Sequence, residues 1–315
     1  MVFAYVTSRK DRMMSVLVVG EALVDLICKP DGEVAAVPGG GPFNLARTLG
    51  RLGVDVSFAG GISDDVFGQR IASMLAADGV NQALPTRAGL LTTLALAAID
   101  EGGAATYRFY IDGTAAPAVN DGDIELPDGL DALVVGTLGL VLEPAADATA
   151  AAVAAAAPTT LVFLDPNCRP SVISDEIGYR SRLERVLRRA DVVKVSGDDL
   201  DYLSPGADHL HTVRGFLDQG VQVVLFTDGA AGVRVITTNS ETVVPVPAVD
   251  VVDTVGAGDA FGGGFLAFWL SSGATRADLS DVTRLTAAVE KAISVARMTC
   301  QRVGANPPYL HELAQ

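Results

Sequence analysis

The chain has 315 residues, 49% of them hydrophobic and 19% charged, with a formal net charge of −15 at pH 7. That length and balance fit one large globular domain, and so acidic a chain repels nucleic acid and anionic membranes, so neither is expected as a partner. Cys28, Cys168 and Cys300 are widely spaced and odd in number, so neither a disulfide framework nor a thiolate metal centre is indicated.

A reducing cytoplasm is the expected location. No secretory pattern opens the chain, and its apolar runs fall short of the roughly 20 residues that a membrane span needs. Residues 1–14, mixed in charge, are expected to form a poorly ordered extension ahead of a single domain over 15–315. The first strand is "SVLVVGEA" (15–22). Pro30-Asp31-Gly32 is a turn signal inside a hairpin over about 22–38. Helical stretches follow in "FNLARTLGRLG" (43–53) and "DVFGQRIASMLAADG" (65–79), and a second hairpin over about 92–112 turns at Asp100-Glu101-Gly102-Gly103.

From there strands and helices alternate. The apolar, β-branched runs "DALVVGTLGL" (131–140), "TTLVFLDPN" (159–167), "DVVKVS" (191–196) and "VQVVLFTDG" (221–229) lack polar alternation, which marks strands covered on both faces. Between them lie "EPAADATAAAVAAAA" (143–157), "YRSRLERVLRRA" (179–190) and "DHLHTVRGFLDQG" (208–220). Alternation of this kind builds a mostly parallel sheet between helical layers. Neither hairpin buries much surface alone, so the two are expected to pair as a small sheet. The first leaves directly from the end of strand one, where open α/β sheets place ligands, and that position suits a lid.

Chemistry concentrates in "DTVGAGDAFGGGFLAFWLSSG" (253–273). Phe261, Phe265, Leu266 and Trp269 recur at helical spacing, so a helix is expected to begin near Gly258 or Asp259 and stop at Gly273. Its free N–H groups, with Gly256, Ala257 and Gly258 too small to obstruct approach, offer a place for a phosphate or a developing anion, and Asp259 stands where it could act as a base. On spacing alone, Asp259 serves equally well as a helix cap beside glycines that permit close packing. No Lys-Ser or Lys-Thr follows, which excludes a Walker A loop, and no strand-Gly-x-Gly opening precedes, which counts against a dinucleotide-dependent oxidoreductase.

"DTVGAGDAFGGGF" resembles the C-terminal signature of the PfkB (ribokinase-like) sugar and nucleoside kinases, and "PGGGPFNLARTLGRLG" (38–53) resembles their N-terminal Gly-Gly signature. "GEALVDL", "GISDDVFGQ", "LDPNCR", "FTDGAAG" and "RVGAN" follow the family's order from residue 15 onward. The resemblance implies a three-layer α/β/α ribokinase-like fold with a β lid, transferring the γ-phosphoryl of ATP to a hydroxymethyl group. It makes Asp259 the base and Gly256, Ala257 and Gly258 the anion hole. It makes Asp25, Gly39, Gly40 and Asn44 sugar contacts; the alternatives are a solvated hairpin carboxylate for Asp25 and a helix-start residue for Asn44. Arg108 and Arg169 are candidate cations for phosphate, or surface ion pairs. Lys194, Thr227, Gly229, Gly232, Gly304 and Asn306 fall where relatives hold the nucleotide. Asp253 matches a residue that helps hold a monovalent cation such as potassium, or else caps the turn.

One place departs from the family. Many relatives carry Asn-x-x-Glu to organise magnesium through water; "KVSGDDL" puts Ser196 and Asp199 there, the Lys-x-Ser-x-x-Glu form of fructokinase-like members with the shorter Asp. That stretch, with "TTLALAAID" and "YRFYIDGTAAPAV", favours fructose or a related ketose. 2-Keto-3-deoxygluconate, ribose and nucleosides are the alternatives within the family, and a non-catalytic sugar-binding protein is the alternative outside catalysis. The resemblance also implies a homodimer formed through the lid.

Overall fold

The computed structural model describes residues 14–100, 102 and 105–313. The expected extension over 1–14 lies almost wholly outside the described residues, as does part of the turn at 100–103.

The strands in chain order are β1 (Ser15–Val19), β2 (Leu23–Cys28), β3 (Val34–Gly39), β4 (Asp55–Ala59), β5 (Val80–Gln82), β6 (Leu94–Ile99), β7 (Ala105–Tyr110), β8 (Ala132–Gly136), β9 (Leu161–Asp165), β10 (Val192–Ser196), β11 (Val223–Thr227), β12 (Val233–Ile236) and β13 (Glu241–Val244). The helices are α1 (Gly41–Arg51), α2 (Val66–Ala77), α3 (Ala145–Ala155), α4 (Glu176–Leu187), α5 (Gly197–Leu203), α6 (His209–Asp218), α7 (Ala257–Ser271) and α8 (Val282–Cys300). A nine-stranded sheet runs in the order β13-β12-β11-β10-β9-β8-β1-β4-β5. Its strands are parallel from β11 to β5, and β12 and β13 are antiparallel at one edge.

Alternation along each strand divides the core in two. Val16 and Val18 face one side with α1, α2, α7 and α8; Leu17 and Val19 face the other with α3, α4 and α6. In β9, Leu161 and Phe163 join the first core and Val162 and Leu164 the second, all fully buried. Burying each such side chain stabilises the fold by about 1.5–3 kcal/mol. The layers are therefore α/β/α, as expected from the unbroken apolar strands.

The second sheet has four strands in the order β3-β2-β6-β7. Each expected hairpin is antiparallel, and β2 pairs with β6 in parallel to join them. The strands β4, β5, β12 and β13 and the helices α5 and α8 lie outside the elements picked out from the sequence. All but α8 are short, and α8 carries its apolar residues in a run of 19 with mixed polar neighbours.

Helix α7 is the central support of the site. It begins at Ala257 because Gly256 takes a left-handed turn, φ 76°. Gly263 and Gly264 then let neighbouring helices close in: a Cβ on Gly263 would sit 2.7 Å from Thr48 Cβ on α1, and one on Gly264 would sit 3.1 Å from Ala292 Cα on α8. Trp269, fully buried, stacks on Phe265 one turn earlier at 6.0 Å. Those contacts fix where the first turn of α7 points.

Candidate active site

Strand order reverses between β1 and β8, whose chains leave in opposite directions. In open α/β sheets a crevice forms at the carboxyl ends there. Glu21 follows β1, Thr137 and Gly139 follow β8, Asp165 ends β9 with Asn167 and Arg169 beyond it, and Lys194 and Ser196 end β10. The amino ends of α1 and α7 enter the same crevice.

Asp259 is the third residue of α7, and the cap position belongs to Gly256. Its carboxylate caps nothing. Its side chain is buried, and Asn44 Nδ2 donates to Oδ2 at 2.9 Å. A Cβ on Gly41 would come within 3.3 Å of Asp259 Oδ1, 3.2 Å of Asn167 Nδ2 and 2.9 Å of Thr137 Cγ2. The absence of a side chain at Gly41 thus keeps open the space that these groups face. Burial pushes the Asp259 carboxyl up to about 6; the bond from Asn44 works against this, the Asp165 charge adds to it, and Lys194 and Arg169 oppose it. Two N–H groups of the loop ahead of it, those of Gly256 and Gly258, find no acceptor among the described residues, whereas Ala257 donates to the Thr254 carbonyl at 3.2 Å.

Lys194 and Asp165 form a buried ion pair, Nζ to Oδ2 2.6 Å. Burial alone would lower the ammonium, but the carboxylate beside it holds it above its ordinary value. The ammonium also lies beside the first turn of α7, 3.3 Å from where a Cβ of Gly258 would be. Asp165 Oδ1 and Asn44 Oδ1 are buried acceptors without a partner among the described residues. Buried acceptors are normally satisfied, so these two mark where a bound molecule or hydrated ion would complete the site.

Asp199 has little left to offer a metal directly. Its Oδ2 accepts from the N–H and hydroxyl of Ser196 at 2.8 and 2.6 Å, forming the capping box of α5, and its Oδ1 accepts from Cys168 N at 2.7 Å. Among the described residues no group of three or more His, Cys, Asp or Glu is placed to hold a metal. The residues present fit a magnesium ion that arrives with nucleotide phosphates and keeps much of its water, with Asp165 and Asp199 as nearby charge, and do not fit an all-protein cage. Asp253 ties its own turn to the C-terminal segment: Oδ1 accepts from Val255 N at 3.0 Å and Oδ2 from Gly304 N at 2.8 Å.

On the small sheet, half-buried Asp25 lies against Gly39, and burial raises its carboxyl to about 6 with Arg169 opposing. Its face also carries Leu23, Ala95 and Phe109, which pack with Leu138 and Leu142 beyond β8. Gly40 begins α1 at φ 110°, and a Cβ there would meet the Glu21 carbonyl at 2.7 Å. Arg169 is exposed and donates to the Asn167 and Cys168 carbonyls at 3.2 and 3.1 Å, within electrostatic reach of Asp25, Asp165 and Asp259. Arg108 is not brought to this group. It is exposed, and pairing with Leu96, itself opposite Leu26, puts it on the face away from Asp25.

Of the residues assigned to nucleotide, Lys194 is in the pair with Asp165 and the other five separate into two places. Thr227 ends β11 with its hydroxyl donating to the Val195 carbonyl at 3.2 Å, and Gly229 and Gly232 shape the turn into β12. Gly304 and Asn306 belong to the C-terminal segment, where Arg51 Nη1 donates to Asn306 Oδ1 at 2.7 Å and Arg47 Nη1 to the Ala305 carbonyl at 3.1 Å.

Glu21, Thr137, Asp165 and Asn167 were not singled out as site residues, although "GEALVDL" and "LDPNCR" contain three of them. Among the described residues Thr137 (φ 48°) and Asn167 (φ 39°) are the non-glycine residues with left-handed backbone. Such strain collects at functional sites, and it leaves no trace in residue type.

Known proteins resemble this chain in sequence and in fold. The pfkB family of carbohydrate kinases matches residues 13–312. A fructokinase of Rhizobium leguminosarum bv. trifolii is 36% identical over 257 residues, 80% of this chain and 78% of that one. The solved fructokinase of Xylella fastidiosa with bound ATP superposes with a TM-score of 0.85 at 28% identity, covering 95% of this chain and 97% of that one. The fructokinase of Vibrio cholerae O395, solved with fructose, ADP and calcium ion bound, gives 0.82 at 27% identity over 96% and 98%. No helix among the described residues is long and apolar enough to cross a membrane.

Proposed function

The chain belongs to the pfkB family of carbohydrate kinases and is a phosphotransferase with an alcohol acceptor; from that premise we propose that it moves the γ-phosphoryl of ATP to a hydroxymethyl group of fructose. One observation carries the assignment of roles: Asp259 is a buried carboxylate whose direct partner is the neutral Asn44, at the mouth of an N–H-lined turn. Fructose as acceptor is supported by the fructokinases among the relatives and by the Lys-x-Ser-x-x-acid stretch at 194–199.

In this reading the sugar lies between the small sheet and the amino end of α1. Asp25 and Asn44 accept from and donate to its hydroxyls, Gly39 and Gly40 admit it against the backbone, and Arg169 supplies positive charge above it. The acceptor hydroxyl rests on Asp259. As its oxygen bonds to the γ-phosphorus, its proton passes to the Asp259 carboxylate, and the bond from that phosphorus to the β,γ-bridging oxygen breaks to leave ADP. The N–H groups of Gly256 and Gly258 face the phosphoryl oxygens as charge gathers there, and Ala257, tied back to Thr254, keeps the turn in shape. Lys194 stays protonated beside Asp165 and faces the same oxygens. Magnesium, when bound with the nucleotide, would neutralise phosphate charge near Asp165 and Asp199. A potassium ion would have Asp253 as its carboxylate neighbour. Thr227, Gly229, Gly232, Gly304 and Asn306 line the nucleotide side.

The test is ADP release by the purified chain with ATP and magnesium across ketoses, aldoses, 2-keto-3-deoxygluconate and nucleosides. Fructose is expected to give the highest kcat/KM. A larger value for any other acceptor overturns the substrate, and no acceptor-dependent ADP from folded protein overturns the reaction.

A further inference from the structure

Glu21 has been assigned no part in the reaction, yet it is more deeply buried than Asp259, at 3% exposure against 9%. Among the described residues no cation is paired with it. Its Oε1 accepts from Gly41 N at 3.2 Å, and its Oε2 accepts from the Thr137 hydroxyl at 3.0 Å and from Gly139 N at 3.3 Å. The surroundings are otherwise dry: an adjoining cavity of about 10 Å³, walled by Val19, Val119, Leu138 and Leu142, is at the lower limit for one water. Burying a carboxylate without a counter-ion is costly. What recommends it here is acceptor geometry. Donors converge on both oxygens from two elements, and a glutamine would turn an NH₂ toward one of them.

The elements so joined are the two that build the acceptor side of the site. Gly41 is the first residue of α1, and Asn44, one turn on, is the donor to Asp259. Thr137, in left-handed backbone, presents its methyl to the same space beside Gly41 that Asp259 Oδ1 faces. There is no slack between the parts, since a Cβ on Gly139 would lie 2.9 Å from Gly20 Cα.

We propose that Glu21 is a positioning residue for phosphoryl transfer: its carboxylate clamps the start of α1 to the segment after β8, and thereby holds Asn44 and Asp259 in register with the acceptor hydroxyl. The inference rests on the reading of Asp259 as base. Misplacing a reacting group by an ångström costs on the order of 100-fold in rate, so a loosened clamp acts on kcat.

The groups facing Glu21 are the Gly41 N–H from α1, the Thr137 hydroxyl and Gly139 N–H from the segment after β8, and, as a charge, Asp259 from α7. Burial brings the Glu21 carboxyl up to about 7, close to Asp259 at about 6. Both must be ionised for a working clamp and base. The acid limb of log kcat in the native protein is therefore expected to steepen toward two protons, and that of Glu21→Gln to fall with one.

The experiment compares native protein, Glu21→Gln, Glu21→Asp, Thr137→Val and Asp259→Asn at saturating fructose and ATP from pH 5 to 9. Glu21→Gln is expected to lose roughly 10- to 100-fold in kcat with its KM for ATP within about twofold. Glu21→Asp is expected to recover part of the loss. Thr137→Val, which keeps the carboxylate and removes one donor, is expected to lose a few-fold and remains informative if Glu21→Gln does not fold. Native kcat in Thr137→Val together with native kcat, or an unchanged acid slope, in Glu21→Gln overturns the proposal; if Glu21→Gln does not fold, native kcat in Thr137→Val alone does so. Near-native turnover in Asp259→Asn overturns the base instead, so the two failures are distinguishable.

Discussion

Two buried aspartates stand a short way apart at the carboxyl edge of the main sheet, and their surroundings differ in one respect. Asp165, at the end of β9, has the Lys194 ammonium 2.6 Å away; Asp259, in the first turn of α7, has the amide of Asn44 at 2.9 Å. Both are desolvated. Burial raises both carboxyls; at Asp165 the full charge of Lys194 is the main force against that rise, while at Asp259 it is the Asn44 dipole, and that carboxyl stands at about 6, within reach of a proton at neutral pH. Burial is common to the two, and what differs is the neighbour that opposes it, a direct ion pair at one and a neutral amide at the other.

The contrast is tested most severely by removing the exchangeable carboxylate. Asp259→Asn keeps an oxygen to accept from Asn44 and is expected to bind sugar as the native protein does, while kcat falls by about 10²- to 10⁴-fold. Isothermal titration with the sugar beside steady-state kinetics separates the two quantities. A variant within tenfold of native kcat would place Asp259 with Asp165, among the braces.

Next in size is the brace itself. Lys194→Met leaves Asp165 buried without its cation, and the expected loss is about 3–5 kcal/mol in urea unfolding. Asp165→Asn with Lys194→Met removes both charges, and most of that loss should return. If the double variant is no more stable than the single, the pair does not act as a unit.

The same difference in surroundings explains what the sequence reveals. The glycines of the two signatures are legible because tight turns need small residues in a local pattern: Gly256 and Gly40 take the cap positions of α7 and α1 in left-handed backbone. The Asp165–Lys194 pair is not local. It follows from the register of two neighbouring parallel strands, one step beyond the Val193–Leu164 pair, and register is set by the packing of both faces. Glu21 is similarly hidden, because its three donors come from chain segments 20 and more than 100 residues away. Asp199 teaches the opposite lesson. Its spacing from Ser196 is a local pattern that serves a helix cap as readily as a metal motif, and the cap is formed. Likewise Gly262–264 sit in the signature yet serve helix packing.

Stability against pH gives a third, smaller effect. In the folded protein the Asp259 proton is held up to about 6, against an ordinary 3.8. This carboxyl therefore favours the folded state below about 3.8, and the contribution is lost as pH rises through 6, at a cost on the order of 3 kcal/mol. Asparagine has no such proton. Asp259→Asn should be more stable than native protein at pH 8 by up to that amount, and the gap should close toward pH 4. An equal gap at both pH values would mean that the Asp259 carboxyl is not raised by its burial.

The small sheet supplies a second comparison, between a half-buried carboxylate and an exposed guanidinium. Asp25 is half-buried on the face that looks onto the crevice, and Arg108, on the adjoining hairpin, is exposed on the opposite face. If proximity to the site were enough, both would matter. If a charge counts according to how water is withdrawn from it, Asp25→Asn should raise the KM for sugar by roughly tenfold, the worth of a hydrogen bond involving a charged group. Arg108→Ala should change KM and kcat by less than about twofold, as exposed charges do. Measured together on one sugar, the pair asks whether the lid follows the rule that separates Asp165 from Asp259. A large effect at Arg108 would mean that the outer face of the lid meets something during turnover, and would move that arginine into the site.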